Sequence, residues 1–284
     1  METNLTVPKT ILLTGLPRSG TTLVCHLLTS LPNVVALNEP MKVQELSILS
    51  TDKQFAAIDQ FISENRDSLI TNCLATSKHI EGKIPDNTFS NNASDKGLRV
   101  SLVEHGQLSF HKKLSEDFIL AIKHNAAFAY LLNKLVFRYS CYGIIRNPLA
   151  ILFSWQTVDL NIHYGHIPVG EAFDLELRET LARIDDTLDR QIYILNWFFT
   201  KFDQNLPAER IIQYENVIAS NGRTLKVITP EADFIQVSLK SRNKNPIYKQ
   251  GQFQKIADKL LESKGIYWKY YSIEDVLSLL NNYS

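Results

Sequence analysis

The chain has 284 residues, a length typical of two average domains or of one large α/β domain. Lys and Arg together number 30, as do Asp and Glu, so the formal net charge is zero. This balance argues against a uniformly basic nucleic-acid-binding protein and against an acidic solvating tail. Hydrophobic residues make up 44% of the chain, which is enough for a full core. The three cysteines, Cys25, Cys73 and Cys141, are too widely spaced for a disulfide framework or a CxxC metal site.

The sequence indicates neither a targeting segment nor a membrane span. The first ten residues lack the charged-then-apolar pattern of a signal peptide, and no apolar run approaches the roughly 18 residues of a membrane helix. We therefore expect a soluble, cytoplasmic protein with reduced cysteines and with no membrane or nucleic-acid partner. The composition leaves its oligomeric state open.

The first 40 residues predict a strand, a glycine-containing turn, a helix and a second strand. Residues 10–14 form a continuous apolar run, typical of a strand that is covered on both faces. The turn 15–20 follows, and leucines at helical spacing then occupy the segment 23–31. Residues 34–37 give the second strand. A strand, a loop, a helix and a strand within about 30 residues indicate a βαβ unit and a parallel sheet.

The rest of the chain alternates helical and strand-like segments. We predict a helix over 51–74, a polar loop over 81–97, a strand over 118–122, a helix over 126–136, a strand over 141–145, a helix from 148, one helix or a helix pair over 170–202, a strand over 210–214, and helices over 253–263 and 273–281. The pattern predicts one α/β domain spanning residues 1–284. Its centre is a mostly parallel sheet of about five strands, flanked by helices as in P-loop NTPases.

The turn after the first strand, GLPRSGTT from Gly15 to Thr22, has the GxxxxG spacing of a phosphate-binding loop. Glycines let backbone N–H groups curl around an anion, and the following helix adds a favourable dipole. Thr21 stands where an NTPase loop has lysine, and the cation is Arg18 inside the loop. The loop therefore suits a small anionic group better than a metal-bound triphosphate. The simple alternative is a structural turn between strand and helix.

The segment LPRSGTTL resembles the 5′-phosphosulfate loop of sulfotransferases, which use 3′-phosphoadenosine 5′-phosphosulfate (PAPS). A second similarity to that family is a strand ending in Arg146, followed by Asn147-Pro148, with Ser154 eight residues after the arginine. The resemblance implies that Arg146 and Ser154 hold the 3′-phosphate of the donor, chemistry that suits a guanidinium and a hydroxyl. A surface ion-pair role for Arg146 is the alternative. The loop residues implied to bind the donor are Pro17, Arg18, Ser19, Gly20, Thr21 and Thr22.

Weaker similarities extend towards the C-terminus. The segment around Tyr214 resembles a family strand end whose tyrosine lies near the adenine, and the segment from 237 resembles an adenine-side segment, which implies a contact from Ser238. The family's basic RKGxxG segment is reduced here to Lys249-Gln-Gly. We take Lys249 as its substitute on the 3′-phosphate.

Two predicted strand ends carry candidates for the group that takes the acceptor's proton. Glu39 ends the second predicted strand, and similar sulfotransferases with an arginine in the loop use a Glu soon after the first helix. Lys123 and His124 end the third predicted strand, where the cytosolic family members have Lys and, two positions later, a catalytic His. We favour Glu39 as the base, Lys123 or Arg18 as the stabiliser of the transferring group, and His124 as the second candidate base. The alternatives are a turn-capping role for Glu39 and a structural role for His124.

The resemblance therefore implies transfer of a sulfuryl group from PAPS, without a metal, to a hydroxyl or an amine of a small-molecule acceptor. A secondary metabolite such as a saxitoxin-like alkaloid is one guess for the acceptor. The alternatives are a P-loop kinase or NTPase with an altered loop, and a non-catalytic nucleotide-binding module. We expect the acceptor pocket to draw on the loop after Glu39, on 81–97 and on 157–175.

Overall fold

The computed structural model describes residues 9–95, 97–243 and 253–281. Within these ranges the strands are β1 (Thr10–Gly15), β2 (Val34–Asn38), β3 (Leu74–His79), β4 (Glu104–Ser109), β5 (Ile119–Lys123), β6 (Ser140–Ile145) and β7 (Ile211–Gln213). β3 and β4 form an antiparallel pair, and the other strands form one sheet in the order β2-β5-β1-β6-β7. Every pairing in that sheet is parallel. The predicted α/β architecture with a central parallel sheet is confirmed.

Helices surround the central sheet. They are α1 (Thr21–Ser30), α2 (Val43–Leu46), α3 (Thr51–Asn72), α4 (Ala126–Leu135), α5 (Pro148–Trp155), α6 (Pro168–Phe173), α7 (Leu175–Arg183), α8 (Thr187–Asn205), α9 (Tyr214–Ala219), α10 (Phe253–Glu262) and α11 (Ile273–Asn281). Short 3-10 turns lie at Asn161–Tyr164, Ala208–Arg210, Arg223–Val227, Pro230–Phe234 and Ile266–Lys269. None of the helices in the described ranges combines the length and the apolar character that are needed to cross a bilayer.

The core of the central sheet follows from its sequence. All five residues of β2 and five of the six in β1 and in β6 are buried, which is why these strands are continuously apolar rather than alternating. α1 packs on β1, β2 and β5, and α4 packs on β1 and on α8. Asn147 caps α5 as predicted, because its side-chain oxygen accepts hydrogen bonds from the backbone N–H groups of Leu149 and Ala150.

The sheet order places the functional loops differently from the simple βαβ expectation. β2 pairs with β5, and β5 lies between β2 and β1, so Glu39 is not directly beside the phosphate loop. Because all the strands run parallel, their carboxyl ends still lie at one edge of the sheet. The loops after β1, β2, β5 and β6 therefore converge there.

Two regions depart from the predicted elements. The β3–β4 hairpin was not predicted, since its strands are largely polar and pair across a 24-residue connection, 80–103. The predicted helix or helix pair over 170–202 is three helices, α6, α7 and α8. Asp174 and Asp186 begin the second and third of them by accepting hydrogen bonds from the backbone N–H groups of Leu177 and Asp189.

Candidate functional site

A cavity of about 640 Å³ opens at the carboxyl edge of the central sheet. We call it the loop cavity, because the phosphate-type loop after β1 forms part of its wall. The predicted site residues on this wall are Pro17, Arg18, Gly20, Thr21, Thr22, Glu39, Lys123, Arg146, Tyr214 and Ser238. The topology thus brings together side chains that lie far apart in the sequence.

Three predicted site residues within the described ranges are not on that wall. Ser19 and Ser154 are fully buried behind it, and His124 faces a neighbouring cavity. Ser19 has a structural task in this arrangement, since its hydroxyl donates to the carbonyl of Ile144 at 2.9 Å and so ties the loop to β6. Lys249 lies outside the described residues.

The loop after β1 has the backbone of an anion cradle. Gly20 has φ +96°, and a Cβ there would lie 2.6 Å from the Tyr214 ring, so only glycine fits this position. α1 begins directly after Gly20 without a side-chain cap, which leaves the N–H groups of its first turn for a ligand. Arg18 has φ +71° and Glu39 has φ +46°, conformations that cost about 1–3 kcal/mol each in a non-glycine residue. Such conformations cluster at functional sites.

Arg18 holds the loop against two other parts of the wall. Its Nε donates to Ser154 Oγ at 3.2 Å, and its Nη1 donates to Asn87 Oδ1 at 3.2 Å. The guanidinium also lies 4.5 Å from the centroid of the Phe89 ring. The two residues implied to contact opposite ends of the donor, Arg18 and Ser154, are therefore hydrogen-bonded to each other in this structure.

Arg146 is buried at the end of β6 and crosslinks the loop to the segment 242–243. Its Nη1 donates to the carbonyl of Arg18 at 2.9 Å, its Nη2 to the carbonyl of Arg242 at 2.9 Å, and its Nε to Asn243 Oδ1 at 2.7 Å. Its guanidinium stacks on the Tyr214 ring at 4.7 Å. Arg146 lies on the wall, and each of its three guanidinium nitrogens donates a hydrogen bond to the protein.

Glu39 is the centre of a compact ion cluster. Its Oε1 accepts a hydrogen bond from Lys123 Nζ and its Oε2 accepts one from Lys78 Nζ, each at 2.6 Å. The Lys123 side chain is 3% exposed and the Lys78 side chain is 36% exposed, so the cluster runs from the interior to the cavity wall. The backbone N–H of Glu39 also donates to the carbonyl of Lys123, because β2 and β5 are neighbours.

These contacts decide the charge of Glu39. Burial raises the pKa of this carboxyl, but the Lys123 and Lys78 ammonium groups outweigh burial and hold the pKa well below its usual range. A carboxylate whose two oxygens both accept from ammonium groups is ionised but weakly basic. The role of Glu39 as a general base remains a prediction, and it requires at least one lysine to move away from the carboxylate.

His124 is buried, with its ring edge-on to Phe128. Its Nε2 accepts a hydrogen bond from the backbone N–H of Met41 at 3.1 Å, so the ring proton is on Nδ1. Burial lowers the pKa of His124 to about 3, which keeps the ring neutral at pH 7. Since the lone pair of the neutral ring is already used, this geometry matches the structural alternative for His124.

Sequence reasoning missed several residues on the wall. Lys78, Asn87, Phe89 and Arg99 come from the β3–β4 hairpin and its connection. Arg99 is 4% exposed, and its Nη2 donates to Thr157 Oγ1 at 2.7 Å. The polar composition of 81–97 indicated a loop over the site, but no spacing in the sequence connects these residues to Glu39 or Arg18.

Among the described residues, no group of three or more His, Cys, Asp or Glu side chains is placed to hold a metal ion.

No family model matches the sequence, and no curated protein matches it. The chain is similar to a solved structure, the sulfotransferase domain from the Synechococcus PCC 7002 olefin synthase, with 14% sequence identity over 98% of this chain and 94% of that one. The TM-score is 0.32. The function is therefore inferred from the residues of the site.

Proposed function

We propose that this chain transfers the sulfuryl group of PAPS to a hydroxyl or an amine of a small-molecule acceptor and releases 3′,5′-ADP. The observation that carries the proposal is the loop cavity, where the uncapped first turn of α1 and the side chains of Arg18, Lys123 and Arg146 share one wall. Backbone N–H groups and fixed cations together favour a ligand with several anionic groups. A phosphosulfate with a 3′-phosphate at its other end has this charge distribution.

The residues of the wall suit the two ends of such a donor. Thr21 and Thr22 begin α1 and would meet the 5′-phosphosulfate. Arg146, whose backbone position at the end of β6 is fixed by the sheet, would meet the 3′-phosphate. Arg18 would exchange its bond to Ser154 for one to the donor, which would free the Ser154 hydroxyl for the 3′-phosphate.

The reaction needs charge neutralisation and alignment more than covalent chemistry. An acceptor oxygen or nitrogen forms a bond to sulfur while the bond between sulfur and the bridging phosphate oxygen breaks. Negative charge spreads over the sulfuryl oxygens and the leaving phosphate, and Lys123 and Arg18 would stabilise it. In this scheme Glu39 orients the Lys123 and Lys78 ammonium groups through its two short hydrogen bonds.

Calorimetric titration of nucleotides tests the proposal. The wild-type protein should bind 3′,5′-ADP about 10- to 100-fold more tightly than 5′-AMP. The reason is that the additional 3′-phosphate accepts charge-assisted hydrogen bonds that contribute about 1.5–3 kcal/mol. Binding should not require Mg²⁺. In Arg146→Lys the difference between the two nucleotides should shrink, whereas Arg210→Lys, which alters an arginine stacked on Tyr142 away from the cavity, should leave it unchanged.

Two results would refute the proposal. Equal affinities of the wild-type protein for 3′,5′-ADP and 5′-AMP would show that nothing recognises a 3′-phosphate. Tighter, Mg²⁺-dependent binding of ATP would instead favour a kinase or NTPase.

A further inference from the structure

A second cavity, of about 760 Å³, adjoins the loop cavity. The two cavities share Pro17, Glu39, Lys78 and Asn125, so the ion cluster forms part of both walls. Away from this shared wall the second cavity is lined largely by the apolar residues Met41, Val43, Ala126, Ala127, Ile167 and Val169. We call it the apolar cavity. A molecule bound there would meet the loop cavity at the Glu39–Lys78 pair.

His105 lines the apolar cavity in a defined orientation. It lies on β4 directly opposite Lys78 on β3, so the two side chains share one face of the hairpin. Its Nε2 is 2.8 Å from the carbonyl oxygen of Pro40. A carbonyl oxygen only accepts, so Nε2 carries the ring proton and Nδ1 of the neutral ring carries the lone pair. No described residue is hydrogen-bonded to Nδ1.

His105 differs in this respect from the two candidates that the sequence offered. Both oxygens of Glu39 accept hydrogen bonds from lysines, and the lone pair of His124 accepts from the backbone N–H of Met41. Either group would have to break a hydrogen bond before it could take a proton. The lone pair of His105 needs no such rearrangement.

On the basis of the proposed function, we propose that the apolar cavity binds the acceptor and that His105 is its general base. The acceptor is an apolar molecule that carries a hydroxyl group, such as a phenol or a long-chain alcohol. The acceptor oxygen forms the bond to sulfur, the bond from sulfur to the phosphate oxygen breaks, and the hydroxyl proton moves to Nδ1 of His105. The leaving 3′,5′-ADP carries away the electron pair of the broken bond.

The charges around the cavity fit a neutral acceptor better than a polycation. The titratable groups that line it with His105 are Glu39, Lys42, Glu45, Lys78 and His124. Glu39 is already neutralised by two lysines, and Glu45 lies on the exposed rim, 4.0 Å from Lys42. A guanidinium-bearing alkaloid would find no unpaired carboxylate deep in this wall.

The test uses 2-naphthol and 1-octanol as probe acceptors, with PAPS that carries radiolabelled sulfate. The wild-type protein should label at least one probe and should not label glucose. His105→Gln keeps an N–H for the Pro40 carbonyl but has no basic lone pair, so kcat should fall about 100- to 10,000-fold.

A matched control comes from the same hairpin. His79 lies on β3 opposite Glu104, on the other face from Lys78 and His105, and it lines neither cavity. His79→Gln should therefore transfer sulfate at the wild-type rate. A measurement on the wild-type protein makes the test independent of how the variants fold: with ¹³C-labelled histidine, 2-naphthol should shift the ring signal of His105 and not that of His79.

The outcomes separate this proposal from the proposed function. Wild-type activity in His105→Gln would overturn the role of His105 as base. If 3′,5′-ADP binds but the wild-type protein labels neither probe, or if 2-naphthol leaves the His105 signal unshifted, the assignment of the apolar cavity fails while the proposed function stands. If 3′,5′-ADP does not bind, the proposed function itself fails.

Discussion

The ion cluster around Glu39 makes the substitution Glu39→Gln informative about both stability and charge. Glutamine has the same shape as glutamate but cannot neutralise two ammonium groups. Lys123 would be left as a cation that is 3% exposed, whereas Lys78 is 36% exposed and remains hydrated. Breaking a buried ion pair by removing one partner costs about 3–5 kcal/mol, and a half-exposed pair contributes at most about 1 kcal/mol. Because the Glu39 side chain is 26% exposed and the amide oxygen still accepts one bond, we expect a loss of about 3 kcal/mol at pH 7.

The same substitution predicts a specific dependence on pH. The pKa of Glu39 is lower in the folded state than its unfolded value of about 4.3. The contribution of the ionised carboxylate to the free energy of unfolding is therefore fully present above that value and is lost as the pH falls towards the folded pKa. At pH 3, about 1.3 units below the unfolded value, the wild-type protein loses about 1.8 kcal/mol of this contribution. Glutamine does not titrate. The difference in the free energy of unfolding between the two proteins should therefore shrink by about 1.8 kcal/mol between pH 7 and pH 3.

Urea unfolding of the wild-type protein and of Glu39→Gln at both pH values measures these differences. Comparing the two proteins at each pH removes the effect of the other carboxyl groups. A difference below about 1 kcal/mol at pH 7 would show that Glu39 does not compensate a buried charge. A difference that stays constant from pH 7 to pH 3 would show that its pKa is not lowered by folding.

Two further substitutions test other parts of the structure. Gly20→Ala should lower the free energy of unfolding in urea by more than about 2 kcal/mol and weaken 3′,5′-ADP binding, because the new Cβ would lie 2.6 Å from the Tyr214 ring at φ +96°. Gly97→Ala, at φ +75° with no atom within 4 Å of the new Cβ, should cost only the backbone strain of about 1–2 kcal/mol in the same urea assay. Lys112→Met should lower the free energy of unfolding in urea by about 2–3 kcal/mol, because Lys112 Nζ donates hydrogen bonds to the carbonyls that end α1 and begin β2. The substitution Lys113→Met, at an exposed lysine, should have almost no effect. Equal costs of the two substitutions would refute a stabilising role for the Lys112 hydrogen bonds.

Local sequence determined the elements that carry the loop. The apolar runs of β1 and β6 and the Asn147-Pro148 start of α5 each have a local physical cause, and each was predicted correctly. Because a parallel sheet aligns its carboxyl ends, it was also possible to expect that Arg18, Glu39, Lys123 and Arg146 would meet at one edge. The apolar character of a strand and the residue types of a turn are properties of short segments, and both can be read from a single sequence.

Tertiary structure decided which of those groups are free to act. The sheet order puts β5 between β1 and β2, and this brings Lys123 onto Glu39. The β3–β4 hairpin then adds Lys78 to the same carboxylate and places His105 beside it. Pairing across a 24-residue connection leaves no periodic trace in the sequence, and the proton affinity of a carboxylate depends on neighbours that only folding supplies. The sequence therefore offered candidate residues for the site, while their hydrogen-bond partners, charges and basicity are set by contacts between distant segments.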